Sequence, residues 1–310
     1  MNPLDRRSFI QYLTAGASLA FANPSFSEGQ KDAKILQKII PSSQQPMTVI
    51  GMGTWQTFNV GSDEQLRDDR TKILELFFRL GGQMVDSSPM YGSSQQVVGH
   101  GLTRLDYPKN LFSAEKVWTR DESATRKQIK KTSDAWRVQQ FDLMQVHNLV
   151  SWREHLEVLK EMREKGEVRY IGITTSHGRR HSDLAKIMES QPIDFVQLTY
   201  NMEDREVEQN LLPLAQEKGI AIIANRPFQG GRLVNRLQRA KTPLPEFASE
   251  IQCQNWPQFL LKFVVSHPAV TCAIPATTQL AHMQENMGAA TGSLPDAQMR
   301  QEMLAYVNSI

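Results

Sequence analysis

Short apolar runs and longer amphipathic stretches alternate along most of this chain. Runs that close at Asp86, Lys116 and His147 have the length and composition of strands, as do residues 168–174, 194–200, 220–225 and 270–274. Between them the apolar positions fall at helical spacing. In residues 66–80 they are Ile73, Leu74, Leu76, Phe77 and Leu80, and Gly81-Gly82 ends the pattern. Further helices are predicted over 93–105, 121–137, 151–165 (closed by Gly166), 181–190 (stopped before Pro192), 206–218 (capped by Gly219), 256–266, from 279 onward, and 296–308.

The polar stretch 28–47, with Pro41 and Pro46, leads into residues 47–55 and reads as a short hairpin followed by the first strand. Eight strand–helix units in sequence favour a closed (β/α)8 TIM barrel, a single α/β domain, over a doubly wound sheet. One interval breaks the rhythm. Residues 226–255, after the seventh strand, are longer than an ordinary connection and carry Gly230, Gly231, Pro243 and Pro245. A connection of that length in a compact domain is usually functional, and a lid over a bound ligand is the expectation.

Composition narrows the class. The chain has 310 residues, 40% hydrophobic and 22% charged, enough for one large core. Its formal net charge is +2 and no dense basic stretch occurs, which argues against a nucleic-acid partner. Cys253 and Cys272 are too few for a disulfide framework or an iron–sulfur cluster and read as unpaired thiols. No His-x-His pair ends a strand, so no metal site is expected.

Residues 1–27 read as an address rather than as fold. Arg6-Arg7 precede Phe9-Ile10, a mildly apolar stretch follows to Ala22, and Ala20-Phe21-Ala22 and Ser25-Phe26-Ser27 offer cleavage sites. This pattern predicts a twin-arginine export signal, the twin-arginine machinery as a partner and a periplasmic location. The stretch is too short for a permanent membrane span, although an uncleaved signal would leave an anchor. The folded domain is then expected over residues 28–310.

Asp86, Tyr91, Lys116 and His147 sit at or just beyond successive strand ends, the face on which barrel enzymes place their chemistry. A tyrosine with a pKa of about 10 keeps its proton at neutral pH. A nearby ammonium lowers that value, and Lys116, held charged by Asp86, is placed to supply it. Tyr91 then has the makings of a general acid toward a carbonyl oxygen, with His147 hydrogen-bonded to the same oxygen. A hydride has to come from a cofactor, because no side chain provides one.

The segment from Asp86 through Pro89 to Tyr91-Gly92, with Lys116 and His147 in this order, resembles the catalytic tetrad of the aldo-keto reductases. The resemblance extends over residues 36–290. Ile40-Pro41-Ser42-Ser43 and Gly51-Met52-Gly53-Thr54-Trp55 look like that family's opening hairpin and first strand, 195–201 like its sixth strand, and Ile274-Pro275-Ala276-Thr277-Thr278 with Glu285-Asn286 like its cofactor-phosphate segment. The glycine pair Gly51 and Gly53 lacks the third glycine of a dinucleotide fingerprint and reads as strand packing.

The resemblance implies NAD(P)H-dependent reduction of an aldehyde or ketone, with NADP expected ahead of NAD. It implies cofactor contacts from Gly53, Thr54, Thr174, Thr175, Gln197, Asn225, Pro227, Phe228, Thr277, Thr278, His282 and Asn286. Several positions depart from the family pattern. Thr174-Thr175 replace a Ser-Asn pair, Asn225 replaces an aromatic that stacks on nicotinamide, and Ala276 and His282 stand where basic residues often hold the 2′-phosphate. Trp55, Phe58, Met90, Trp118 and Trp152 are the expected apolar pocket for a small carbonyl substrate. His177, Arg179, Arg180 and His181 are read as a solvated loop. The competing reading is a nicotinamide-binding or partner-binding barrel with little turnover.

Overall fold

The computed structural model describes residues 34–310. The export signal expected over 1–27 lies outside the described residues. A hairpin comes first, with β1 (Gln37–Ile39) and β2 (Pro46–Thr48) paired antiparallel. Ile40 and Met47 from this hairpin join Phe112, Leu143, Tyr170 and Phe195 in the cluster that fills the barrel. The Tyr170 hydroxyl donates to Ser43 Oγ at 2.7 Å and ties hairpin to barrel. Met47, expected with the first strand, therefore belongs to the hairpin.

Eight parallel strands follow: β3 (Met52–Gly53), β4 (Met84–Asp86), β5 (Phe112–Val117), β6 (Phe141–Val146), β7 (Val168–Thr174), β8 (Phe195–Thr199), β9 (Ala221–Asn225) and β10 (Val270–Ala273). Each pairs with its sequence neighbour. The ends meet through an Ile50–Ala273 bridge and bonds from Gly51 N to Ala273 O (2.8 Å) and Ala273 N to Val49 O (2.9 Å). The closed (β/α)8 barrel expected from the alternation is thus the fold. Glycine suits the close approach at this seam: a Cβ on Gly51 would meet Cys272 Sγ and Met84 O at 3.1 Å, and one on Gly53 would meet Ile274 O at 3.0 Å, tighter than most Cβ contacts.

The outer layer comprises α1 (Glu64–Arg79), α2 (Ser94–Arg104), α3 (Thr125–Trp136), α4 (Trp152–Glu164), α5 (His181–Ser190), α6 (Leu211–Lys218), α7 (Arg232–Ala240), α8 (Trp256–Ser266), α9 (Leu280–Gly288) and α10 (Ala297–Asn308). Local signals fix several ends. Asp63 caps α1 by accepting from Leu66 N, Asn255 caps α8, and Gly219 leaves α6 in the left-handed conformation. Among the described residues no helix is long and apolar enough to cross a membrane.

Two segments differ from the periodicity reading. The helix expected over 206–218 is a 3-10 turn, Glu206–Gln209, and then α6. Pro213 has no N–H to give to a continuous helix, and it falls instead in the first turn of α6, where none is needed. The stretch 226–255 is not bare loop: it contains α7, which buries Leu233 and Leu237.

Candidate active site

Alternation along β5 points Phe112, Ala114 and Lys116 into the barrel and Glu115 outward, toward α2 and α3. Lys116, fully buried, donates from Nζ to Oδ2 of Asp86 at 2.6 Å and to the Ser87 carbonyl at 2.8 Å. Asp86 is the last residue of β4, and its Oδ1 accepts from Gln197 Nε2 on β8 (2.8 Å) and Gln145 Nε2 on β6 (3.4 Å). Three donors, one each from β5, β6 and β8, and the carbonyl that follows Asp86 therefore hold one buried ion pair. The Lys116 ammonium lies 5.2 Å from the centroid of the Tyr91 ring. Burial alone would lower Lys116, but Asp86, Tyr91 and Glu115 outweigh it and hold the ammonium above its ordinary value.

Tyr91 sits in the turn after β4, with its N–H on the Ser88 carbonyl at 3.0 Å. His147 directly follows β6, and its ring meets the Tyr91 ring edge-on, centroids 5.6 Å apart at 89°. The chain beyond His147 turns sharply, with Asn148, Leu149 and Ser151 all left-handed. Thr174 Oγ1 accepts from Asn148 N, and Arg180 donates to the Asn148 and Leu149 carbonyls, so side chains from the β7 end pin this turn.

One expectation is corrected here. Lys116 does pull Tyr91 down, but burial pushes the phenol up more strongly, and Asp86 and Glu115 add to it, so Tyr91 is raised to about 12. Burial, then Lys116, hold His147 well below its ordinary value, so the imidazole is neutral.

Asp86, Tyr91 and His147 open onto one cavity of about 380 Å³ at the carboxyl ends of the strands. Its wall includes Gly53, Thr54, Thr174, Thr175, Gln197, Asn225, Pro227, Phe228, Thr277, His282 and Asn286, together with Trp55 and Met90. Lys116 stands behind this surface. Four expected residues are elsewhere. Phe58 is fully buried in the outer core, while Trp118 and Thr278 are exposed and off the cavity wall. Trp152 is half-buried, also off the wall, and carries Arg153 on its ring. Of the loop after β7, His177 lines the cavity, whereas Arg180 pairs with Asp183 and His181 with Glu206.

The cavity wall suits a nicotinamide nucleotide. On the same wall, Asn225 donates from Nδ2 to the Thr175 carbonyl (2.8 Å) and accepts at Oδ1 from Thr199 Oγ1 (2.7 Å). Farther along, Gly230 and Gly231 are left-handed, and a Cβ on either would meet nothing nearer than 3.8 Å. That bare floor admits a bulky ligand close to the backbone. Thr277 precedes α9, whose amino end favours an anion, and buried Asn286 in the last turn of α9 also lines the cavity. Sequence reasoning passed over Ser88, Gln145 and Glu115. The only available signal was that they are polar positions among apolar ones beside the four named residues.

A barrel with an acid–lysine pair, a tyrosine and a histidine around one cavity at the carboxyl ends of its strands has the make-up of a reductase of carbonyl compounds. The chain matches the aldo/keto reductase family over residues 49–302 and belongs to it. It is a nicotinamide-dependent oxidoreductase that reduces aldehydes or ketones. It is 25% identical over 276 residues to the methylglyoxal reductase YeaE of Escherichia coli (strain K12), covering 87% of this chain and 95% of that protein. It is also 25% identical to an NADH-specific methylglyoxal reductase of the same organism, covering 66% of this chain and 72% of that one. An aldo/keto reductase from Klebsiella pneumoniae, solved with NADP and acetate, superposes with a TM-score of 0.69 at 19% identity, over 89% of this chain and 95% of that one.

Proposed function

We propose that Tyr91 is the general acid of this reductase, that His147 orients the carbonyl oxygen, and that Lys116 and Asp86 set the field around the phenol. The carrying observation is that the buried Asp86–Lys116 pair lies directly behind Tyr91 while Tyr91 and His147 face one cavity. Two of the Lys116 protons are taken by Asp86 and Ser87, which leaves the third for the phenolic oxygen. Thr175, Gln197, Asn225 and Phe228 would hold the nicotinamide end of the cofactor, and Thr277, His282 and Asn286 its phosphate end. When bound there, the cofactor supplies the hydride. Tyr91 delivers a proton to the oxygen as negative charge builds on it, and Lys116 limits the cost of the phenolate left behind.

Small carbonyl compounds are the substrate class, and methylglyoxal, named for two relatives, is the first to assay. NADPH is the preferred cofactor in this reading, supported by the Klebsiella complex, although the NADH-specific relative and the scarcity of cations around Ala276 and His282 keep the margin small. The Arg6-Arg7 pair supports export by the twin-arginine route, with residues 28–310 as the mature periplasmic domain.

The test is NADPH oxidation by purified protein with and without methylglyoxal and a panel of small aldehydes and ketones. Carbonyl-dependent oxidation is expected. NADPH binding with no oxidation by any of them would favour a binding barrel. Replacing Arg6 and Arg7 by lysine should leave full-length protein in the cytoplasm, and continued processing would refute the twin-arginine route.

A further inference from the structure

Ser88 touches both Tyr91 and His147, and nothing above gives its side chain a part. Its Oγ lies 2.7 Å from His147 Nδ1, with Ser88 fully buried and His147 nearly so. Its carbonyl accepts the Tyr91 N–H. We propose that Ser88 is a positioning residue that fixes the tautomer of His147, so that Nε2 carries the proton and points it into the cavity. This rests on the reading of His147 as the group that orients the carbonyl oxygen.

The assignment follows from counting protons. A hydroxyl has one proton and two lone pairs. One lone pair of Ser88 Oγ accepts from Met90 N at 3.2 Å. If Nδ1 were protonated it would donate to the same oxygen, and the Ser88 proton would be buried with no acceptor among the described residues. If Nδ1 is bare, Ser88 donates to it and every group is satisfied. A buried donor left without an acceptor is penalised, so the second arrangement dominates. His147 is neutral, held so by burial and then by Lys116, so exactly one nitrogen bears a proton and it is Nε2. No hydrogen bond to Nε2 exists among the described residues, and the ring forms part of the cavity wall.

The consequence concerns direction. A carbonyl oxygen accepts and cannot donate. The Nε2–H form offers that oxygen a donor beside the Tyr91 hydroxyl. The Nδ1–H form would offer it a lone pair and repel it. Ser88 therefore keeps both donors aimed at one place, through its hydroxyl for His147 and its carbonyl for Tyr91.

The experiment is long-range proton–nitrogen NMR on histidine-labelled full-length protein, with the His147 signals assigned by their loss in His147→Ala. The parent should show a bare Nδ1 and a protonated Nε2. Ser88→Ala should move the Nδ1 signal and lower kcat about tenfold, the size of one lost hydrogen bond, with NADPH affinity unchanged. Ser88→Thr, which keeps the hydroxyl, should restore both. A protonated Nδ1 in the parent overturns the proposal whatever the variants do, and so does an unmoved Nδ1 signal in Ser88→Ala. Undiminished turnover in His147→Ala would instead overturn the orienting role of His147, and with it the reason for the tautomer to matter.

Discussion

Gln197 bridges the two halves of the site: its Nε2 donates to Oδ1 of Asp86 at 2.8 Å while its Oε1 lies 3.5 Å from Nδ2 of Asn225. The residue expected to face only the nicotinamide thus also steadies the acid behind the lysine. Gln197→Leu should weaken NADPH binding and lower kcat together, the latter by roughly tenfold, since Asp86 loses one of its donors. Nucleotide titration by fluorescence beside steady-state rates separates the two effects. Weaker binding at an unchanged kcat would confine Gln197 to the nucleotide.

Tyr91, raised to about 12, keeps its proton across the ordinary assay range, and His147, held low, stays uncharged there. An acid acts in its protonated form, so loss of activity from Tyr91 begins only as the pH nears the raised value. The rate of carbonyl reduction should therefore be flat between about pH 7 and 9 as far as these two groups decide it. Tyr91→Phe should cost about 10²–10⁴-fold in turnover and leave NADPH affinity intact. An alkaline limb near pH 8 that disappears in Tyr91→Phe would show the phenol is not raised.

Removing Lys116 has two separable consequences. Lys116→Met leaves the buried Asp86 carboxylate without its cation, and breaking such a pair costs about 3–5 kcal/mol of stability. It also removes the one group that pulls Tyr91 downward. The double variant Asp86→Asn, Lys116→Met removes the unpaired charge and should recover most of the urea midpoint while turnover stays low. Recovery of turnover along with stability would mean that the pair serves folding alone.

The barrel was legible because its signals are local. Strands β7 and α5 and α8 match the periodicity reading residue for residue. What was missed depends on the third dimension. Leu233 and Leu237 are a helical pair, but two turns framed by Gly230-Gly231 and two prolines look like loop until the barrel gives them a surface to cover. Phe58 and Trp118 follow strands as Trp55 does, yet chain direction after the strand sends one into the core and the other to solvent. The Tyr91 shift was misjudged because residue types reveal the lysine but not the degree of burial that opposes it.

His282 is exposed on the cavity wall, where it tests the proposed cofactor choice. A guanidinium there would meet a 2′-phosphate with a charge-assisted bond worth about 1.5–3 kcal/mol. His282→Arg should tighten NADPH by roughly ten- to a hundredfold and leave NADH nearly unchanged. Equal gains for both nucleotides would place His282 beside the shared diphosphate instead of the 2′-phosphate.

Glu115 carries a stability prediction of unusual sign. Its Oε1 accepts from Gln95 and Trp136, at 2.9 and 3.0 Å, and its Oε2 from the Lys116 N–H at 2.8 Å. Even so, burial outweighs Lys116 and these donors and raises the carboxyl to about 7 from 4.5. A carboxyl with a higher value folded than unfolded binds its proton more tightly in the folded chain. Its stabilising contribution is complete below about pH 4.5 and is lost as the pH rises through about 7. Glu115→Gln cannot titrate and fixes this contribution. Urea unfolding across that window should show the parent losing up to about 3 kcal/mol relative to Glu115→Gln as the pH rises. Parallel stability curves would mean that Gln95, Trp136 and Lys116 hold the carboxylate charged, and the Tyr91 value would then include a full negative charge one residue away from its lysine.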